Sequence, residues 1–248
     1  MCGIYGSISE DAAVHVLEGL RKLEYRGYDS AGLAAIFSDD DVHIETERTI
    51  GYVSDLVNKA NGRFDGARIS IGHTRWATHG GVTDNNAHPH SSEDGKITIV
   101  HNGIIENSVD LSSRVSKLGY KLSSETDTEV IVHLLDYELK TQPDNYGFLE
   151  AFGSVISKLE GSWAIAVIAT GLDGILVSRQ GAPLVIGRGE GNISVSSDIQ
   201  PFYGACSEVA YMKDGDNFLL DSVGIHSIGD MEIPEFEALE GIYDEQDP

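Results

Sequence analysis

Cys2 follows the initiator methionine and precedes a Gly-Ile-Tyr-Gly run. Removal of Met1 leaves one residue that carries both a thiol and a free α-amine. A free thiol ionises near about 8.5 and an α-amine near about 7.7–8.0, so the amine is partly unprotonated at neutral pH. It can take the thiol proton, directly or through a water, as in nucleophiles that use an N-terminal amine in place of histidine. A second-position cysteine also arises by accident of start-codon context, and Cys2 alone does not separate the two readings. The rest of the chain has to supply donors for an oxyanion and a clamp for a substrate.

Four further constellations bear on that requirement. In Gly72-His-Thr-Arg-Trp-Ala-Thr-His-Gly-Gly81, Arg75 is one of only nine arginines in an acidic chain. Its planar fork suits a carboxylate, held bidentately. Trp76 can shield such a site from water, and the paired glycines can hinge a loop that also carries Thr78 and His79. A surface loop with a salt-bridged arginine reads equally well. In His101-Asn-Gly-Ile-Ile-Glu-Asn107, the Asn102 amide and the Gly103 N–H are candidate oxyanion donors. Asn-Gly after a strand is also a strong signal for a tight hairpin turn. In Ser124-Glu-Thr-Asp-Thr-Glu129, Asp127 can pair with a cationic group or cap the helix that begins there. In Tyr25-Arg-Gly-Tyr-Asp-Ser-Ala-Gly32, Arg26 can position the Cys2 backbone or form a structural ion pair with Asp29.

Five of the nine histidines fall between His73 and His101, among them the His88-Pro-His90 pair, so a metal site is a candidate. Neither a His-x3-His pair on a helix nor a Cys-x2-Cys pair accompanies them, and no metal or other cofactor is expected.

The elements that must position these residues follow from hydrophobic periodicity. Gly3–Ser9 is short and apolar, suited to a buried strand. Asp11–Leu23 carries Val14, Val16, Leu17, Leu20 and Leu23 as a helical stripe. Ala31–Phe37 and Val42–Glu47 look like paired strands across an acidic turn at Asp39–Asp41. Ile69–His73 and Ile97–Val100 are strand-like, and the long polar stretch between them is too long for a routine connection. Val109–Leu118, Thr128–Lys140 and Phe148–Leu159 read as helices. From Ser162 onward short strands alternate with glycine and aspartate, from Trp163–Ala169 to Gly224–Ser227, which favours antiparallel meanders. Strands first, helices in the middle and strands last predict an α+β layered fold.

With 248 residues, 41% of them hydrophobic, the chain can bury a sizeable core. Two cysteines, Cys2 and Cys206, make a disulfide framework implausible. Forty acidic against 17 basic residues give a net charge of −23. Nucleic-acid binding needs basic patches to displace counterions, so a nucleic-acid partner is not expected, nor an anionic membrane surface. No apolar run reaches the roughly 18 residues of a membrane span, and no signal peptide is evident, which predicts a soluble, cytoplasmic protein. Residues 229–248 are acid-rich and are expected to form an extended tail.

Taken together, Cys2-Gly-Ile, Tyr25 to Gly32, Gly72 to Gly80, Asn86-Ala-His-Pro-His90, His101 to Asn107 and Glu125-Thr-Asp-Thr-Glu129 occur in the order found in one family. The chain resembles the glutaminase half of the glucosamine-6-phosphate synthases (glutamine–fructose-6-phosphate aminotransferases), class II glutamine amidotransferases of the N-terminal nucleophile (Ntn) hydrolase superfamily. The resemblance runs to about Ser227 and implies a four-layer αββα sandwich with two largely antiparallel sheets. It implies that Cys2 attacks the side-chain amide of L-glutamine to form a thioester, its own amine relaying the proton to ammonia. Asn102 and Gly103 would hold the oxyanion, Arg75 the α-carboxylate and Asp127 the α-ammonium. Trp76, Thr78 and His79 would close over glutamine, and Arg26 would support the nucleophile. A glutaminase domain over residues 1–228 is expected, with 229–248 resembling the linker to a sugar-isomerase domain or subunit that binds fructose 6-phosphate. A non-catalytic glutamine-sensing module is the alternative on the same pocket, and a metallohydrolase built on the histidines a weaker one.

Overall fold

The computed structural model describes residues 2–38, 41–76, 80–142 and 147–239. In chain order its elements are β1 (Gly3–Ile8), α1 (Ala12–Leu23), β2 (Ser30–Ser38), β3 (Val42–Ile50), α2 (Val53–Ala60), β4 (Ile69–Arg75), β5 (His90–Ser91), β6 (Ile97–Ile105), α3 (Ser108–Lys117), α4 (Glu129–Thr141) and α5 (Phe148–Ile156). The meander that follows comprises β7 (Gly161–Ala169), β8 (Ile175–Gln180), β9 (Val185–Gly189), β10 (Asn192–Ser196), β11 (Glu208–Tyr211), β12 (Asn217–Leu220), β13 (Ile225–Ser227) and β14 (Glu237–Ala238).

Two antiparallel sheets result, ordered β14-β11-β9-β10-β1-β4-β2-β3 and β13-β12-β8-β7-β6-β5. Three apolar cores explain why they stack with helices outside. Ile4, Ile71 and Val195 of the first sheet meet Ala166, Val177 and Phe218 of the second. On the outer face of the first sheet, Tyr5 and Leu33 pack under Val16, Leu20 and Leu56 of α1 and α2. On the outer face of the second, Ile99, Ile165 and Leu176 pack under α3, α4 and α5 through residues such as Leu111, Leu134 and Phe152. Both sheets are therefore covered on both faces, which is why β1 and most of β7 read as continuous apolar runs rather than alternating ones. The layers are α-β-β-α, as the resemblance implied.

The helix α1 approaches β1 closely through Gly19, where a Cβ would stand 2.5 Å from the Tyr5 ring. Val14 does not belong to the buried stripe; it is exposed on the opposite side of α1. α2 was not anticipated, and β4 and β6 run further than their apolar cores suggested, to Arg75 and Ile105. Polar residues extend these strands because the ladder continues: Arg75 pairs with Ser30 of β2, and Gly103 with Trp163 of β7. Asn102-Gly103 is accordingly not a hairpin turn but the interior of β6.

Of the expected acid-rich tail, residues 229–239 are described. Met231 and Phe236 pack against the core between the sheets, Glu237–Ala238 pairs with β11, and the Arg188 guanidinium lies 4.0 Å over the Phe236 ring. The turn residues Asp39 and Asp40, and the chain end from Glu240, lie outside the described residues.

Candidate active site

Cys2 precedes β1 at the middle of the first sheet, one step beyond the Gly3–Thr74 pair with β4. Its position is held at two atoms. The Cys2 carbonyl oxygen accepts from Arg26 Nε at 3.1 Å and from Asn102 Nδ2 at 3.0 Å. The sulfur sits against the end of β4, accepting from the Trp76 N–H at 3.3 Å and facing the Trp76 carbonyl at 3.7 Å. Arg26 is anchored in turn by Asp198, 2.7 Å from its Nη1, and Tyr25 Oη donates to the same carboxylate at 2.8 Å. Burial pushes the Cys2 thiol above its ordinary value, against the opposing Trp76 N–H bond and the charges of Arg75 and Arg26. A thiol in that state is largely protonated at neutral pH, so attack by sulfur requires a base to take its proton.

Cys2, Arg75, Trp76, Gly103 and Asp127 line one cavity of about 50 Å³, together with His73, His88, His101, Thr126 and Thr128. Asn102 and Arg26 reach the Cys2 carbonyl from beside it. Thr78 and His79 lie outside the described residues. A larger hollow of about 390 Å³ lies at the far end of β1, lined by residues such as Ile8, Arg68, Asp173 and Arg188, and its lining holds no cysteine.

Arg75 is buried at the end of β4, and its Nη1 donates to the Gly81 carbonyl at 3.1 Å. That carbonyl also accepts from Asn86 Nδ2, while Glu125 accepts from both Asn86 Nδ2 and the Gly81 N–H, at 3.0 and 3.1 Å. The Arg75 loop and the Asp127 loop are thereby pinned to each other. Asp127 does not cap α4: the residue before the helix is Thr128, with no side-chain cap bond, and Asp127 Oδ2 accepts from the Ile105 N–H at 2.8 Å. Its other oxygen stands 3.8 Å from His101 Nδ1. The Trp76 ring meets Tyr28 edge-on at 5.3 Å, and Tyr28 stacks on Tyr52 at 5.9 Å, forming an aromatic rim beside the thiol.

Gly103 has φ of +130°, and a Cβ there would lie 2.0 Å from the Ser162 carbonyl oxygen. Only glycine fits, which places a bare backbone on the cavity wall.

The histidines pack as rings rather than as ligands. His73 and His88 stack at 4.2 Å with planes 15° apart, and His88 meets His90 edge-on at 4.8 Å. Burial holds His73 and His90 down to about 3 and lowers His88 and His101 as well, so all four are neutral. Among the described residues no group of three His, Cys, Asp or Glu is placed to hold a metal ion. Sequence reasoning weighed His73 only among the histidines of a candidate metal site and gave the Trp76 backbone no role. The period of two along β4 was the available signal, because it puts His73 on the same face as Arg75.

An αββα sandwich with a thiol at the head of a central strand, beside an exposed glycine backbone, has the fold of the Ntn-hydrolase class. The chain belongs to the glutamine amidotransferase domain family, whose model matches residues 73–204. It is 44% identical over 227 residues to glutamine–fructose-6-phosphate aminotransferase (isomerizing) of Clostridium tetani, which covers 91% of this chain and 36% of that protein. It is 46% identical over 218 residues to the protein of the same name from Idiomarina loihiensis, covering 87% of this chain and 35% of that one. The chain thus spans little more than a third of the length of these relatives. In structure it is similar to the glutamine phosphoribosylpyrophosphate amidotransferase of B. subtilis, with a TM-score of 0.77 at 22% identity over 93% of this chain and 50% of the other.

Proposed function

We propose that this site hydrolyses L-glutamine to L-glutamate and ammonia, with Cys2 as nucleophile once Met1 has been removed. The observation that carries the reading is one cavity wall bearing the Cys2 sulfur, Arg75, Gly103 and Asp127 together. The Cys2 amine takes the thiol proton as Sγ attacks the side-chain amide carbon. The oxyanion accepts from the Gly103 N–H and from the Asn102 Nδ2 hydrogen not engaged by the Cys2 carbonyl. The amine returns the proton to the leaving nitrogen, so ammonia departs and a γ-glutamyl thioester remains. Water, deprotonated by the same amine, cleaves the thioester to glutamate and restores the thiol.

Arg75 takes the substrate α-carboxylate in place of the Gly81 carbonyl, and Asp127 takes the α-ammonium. Trp76 closes over the bound amino acid, Thr78 and His79 contribute to its binding, and Arg26 supports Cys2 through its carbonyl. Residues 1–228 form the glutaminase domain, and 229–239 pack back onto it through the pairing of Glu237–Ala238 with β11. The names of the relatives and the third of their length matched here support a sugar-isomerase half that consumes the ammonia on fructose 6-phosphate. Two free cysteines are in keeping with a reducing, cytoplasmic setting.

The test is ammonia release from the purified chain, its N-terminus established by intact mass. Cys2→Ala is expected to abolish release while calorimetry still registers glutamine binding. Release by that variant at the wild-type rate, or none from wild-type chain beginning at Cys2, would overturn the reading.

A further inference from the structure

We propose that His73 is a positioning residue for the oxyanion site, because its ring N–H holds the oxygen end of the Asn102 amide and so aims the nitrogen end at Cys2. The role rests on the glutaminase reading above.

A side-chain amide presents two donors at one end and an acceptor at the other, and only its partners decide which end faces where. Asn102 lies on β6 of the second sheet, and His73 reaches it across the sandwich from β4 of the first. His73 Nε2 is 3.0 Å from Asn102 Oδ1 and 3.2 Å from the His101 carbonyl oxygen. Both neighbours are acceptors here, so Nε2 carries the proton. Among the described residues Nδ1 has no partner, so no acceptor competes for the ring proton there. The opposite end of the amide donates from Nδ2 to the Cys2 carbonyl at 3.0 Å, which leaves one Nδ2 hydrogen for a developing oxyanion.

The ring itself cannot turn. It is 1% exposed and lies flat against His88. His88 is fixed in turn, since its Nδ1 accepts from the His101 N–H at 3.3 Å. Like charges on rings 4.2 Å apart would repel, and burial keeps both uncharged. His73 is therefore a permanent donor over the working pH range rather than a titrating base. Without it, Oδ1 is a buried acceptor with no donor, and the amide plane is free to rotate in search of one. The donor aimed at the reacting carbonyl is then out of line.

The test compares His73→Gln, whose amide nitrogen can occupy the place of Nε2, with His73→Leu, which cannot donate. Each is assayed for kcat and KM on glutamine and for the rate at which iodoacetamide alkylates Cys2, a reaction that develops no oxyanion. Loss of one oxyanion donor typically lowers kcat about 10²–10³-fold. His73→Leu, which misaligns the donor without deleting it, is expected to lower kcat about 10–100-fold. KM and the alkylation rate should stay within about 3-fold, with His73→Gln restoring most of kcat. An unchanged kcat in His73→Leu, alkylation falling in step with turnover, or His73→Gln no better than His73→Leu would each overturn the proposal. Nitrogen-15 NMR of the Asn102 side-chain amide supplies a readout independent of turnover. Slowed exchange of its bonded hydrogen in wild type should be lost in His73→Leu. Retained protection refutes the positioning role, whereas its loss in a chain that never releases ammonia leaves the positioning intact and refutes only the glutaminase reading.

Discussion

Replacing His90 by glutamine should remove a defined share of this protein's sensitivity to acid. His90 is buried, with Nε2 3.0 Å from Thr126 Oγ1, and burial lowers its pKa from the ordinary 6.5 to about 3. Glu129 opposes that shift, while Arg48, Arg75 and His101 add to it. Between those two pH values the unfolded chain binds a proton at this position and the folded chain does not. Stability tied to the neutral ring is thus complete above pH 6.5 and declines as pH falls toward 3. From 6.5 to 5 is 1.5 units, which at about 1.4 kcal/mol per unit is about 2 kcal/mol. Glutamine can bond Thr126 from a similar reach and does not titrate. Urea unfolding of wild type and His90→Gln at pH 7 and pH 5 measures the term by difference, so the relief of acidic self-repulsion on acidification cancels. The stability gap between the two proteins should move by about 2 kcal/mol in favour of the variant. A gap that moves by less than about 0.5 kcal/mol would show that His90 is not held neutral by burial.

Two other substitutions test the cavity wall. Arg75→Ala should raise the KM for glutamine about 10–100-fold with a smaller effect on kcat, since a charged hydrogen-bonding partner is worth about 1.5–3 kcal/mol; unchanged affinity by calorimetry would remove Arg75 from the carboxylate role. Gly103→Ala places a Cβ 2.0 Å from the Ser162 carbonyl at φ of +130°, and strain plus overpacking should cost about 2–6 kcal/mol in urea unfolding; a loss under 1 kcal/mol would mean that β6 and β7 are not locked in this register.

Much of this architecture is written locally in the chain. The apolar stripe of α1, the continuous run of β7 and the punctuated strands after Ser162 follow from side-chain periodicity, because burial on one or both faces constrains residue type directly. The chemistry-bearing types, Cys2 at the chain head, Arg75, Asn102-Gly103 and Asp127, are likewise legible as motifs. Tertiary structure alone decided how those residues are used. Asn102-Gly103 carries the composition of a turn, yet β7 pairs with it and the strand continues through. Asp127 stands where a helix cap is expected, yet its carboxylate turns to the Ile105 N–H. The partner of Arg26 is Asp198, far along the chain, and the partner of Asn102 is a histidine on the opposite sheet. Hydrogen bonds select geometry over sequence proximity, so which of several compatible donors and acceptors meet is settled only when the two sheets stack.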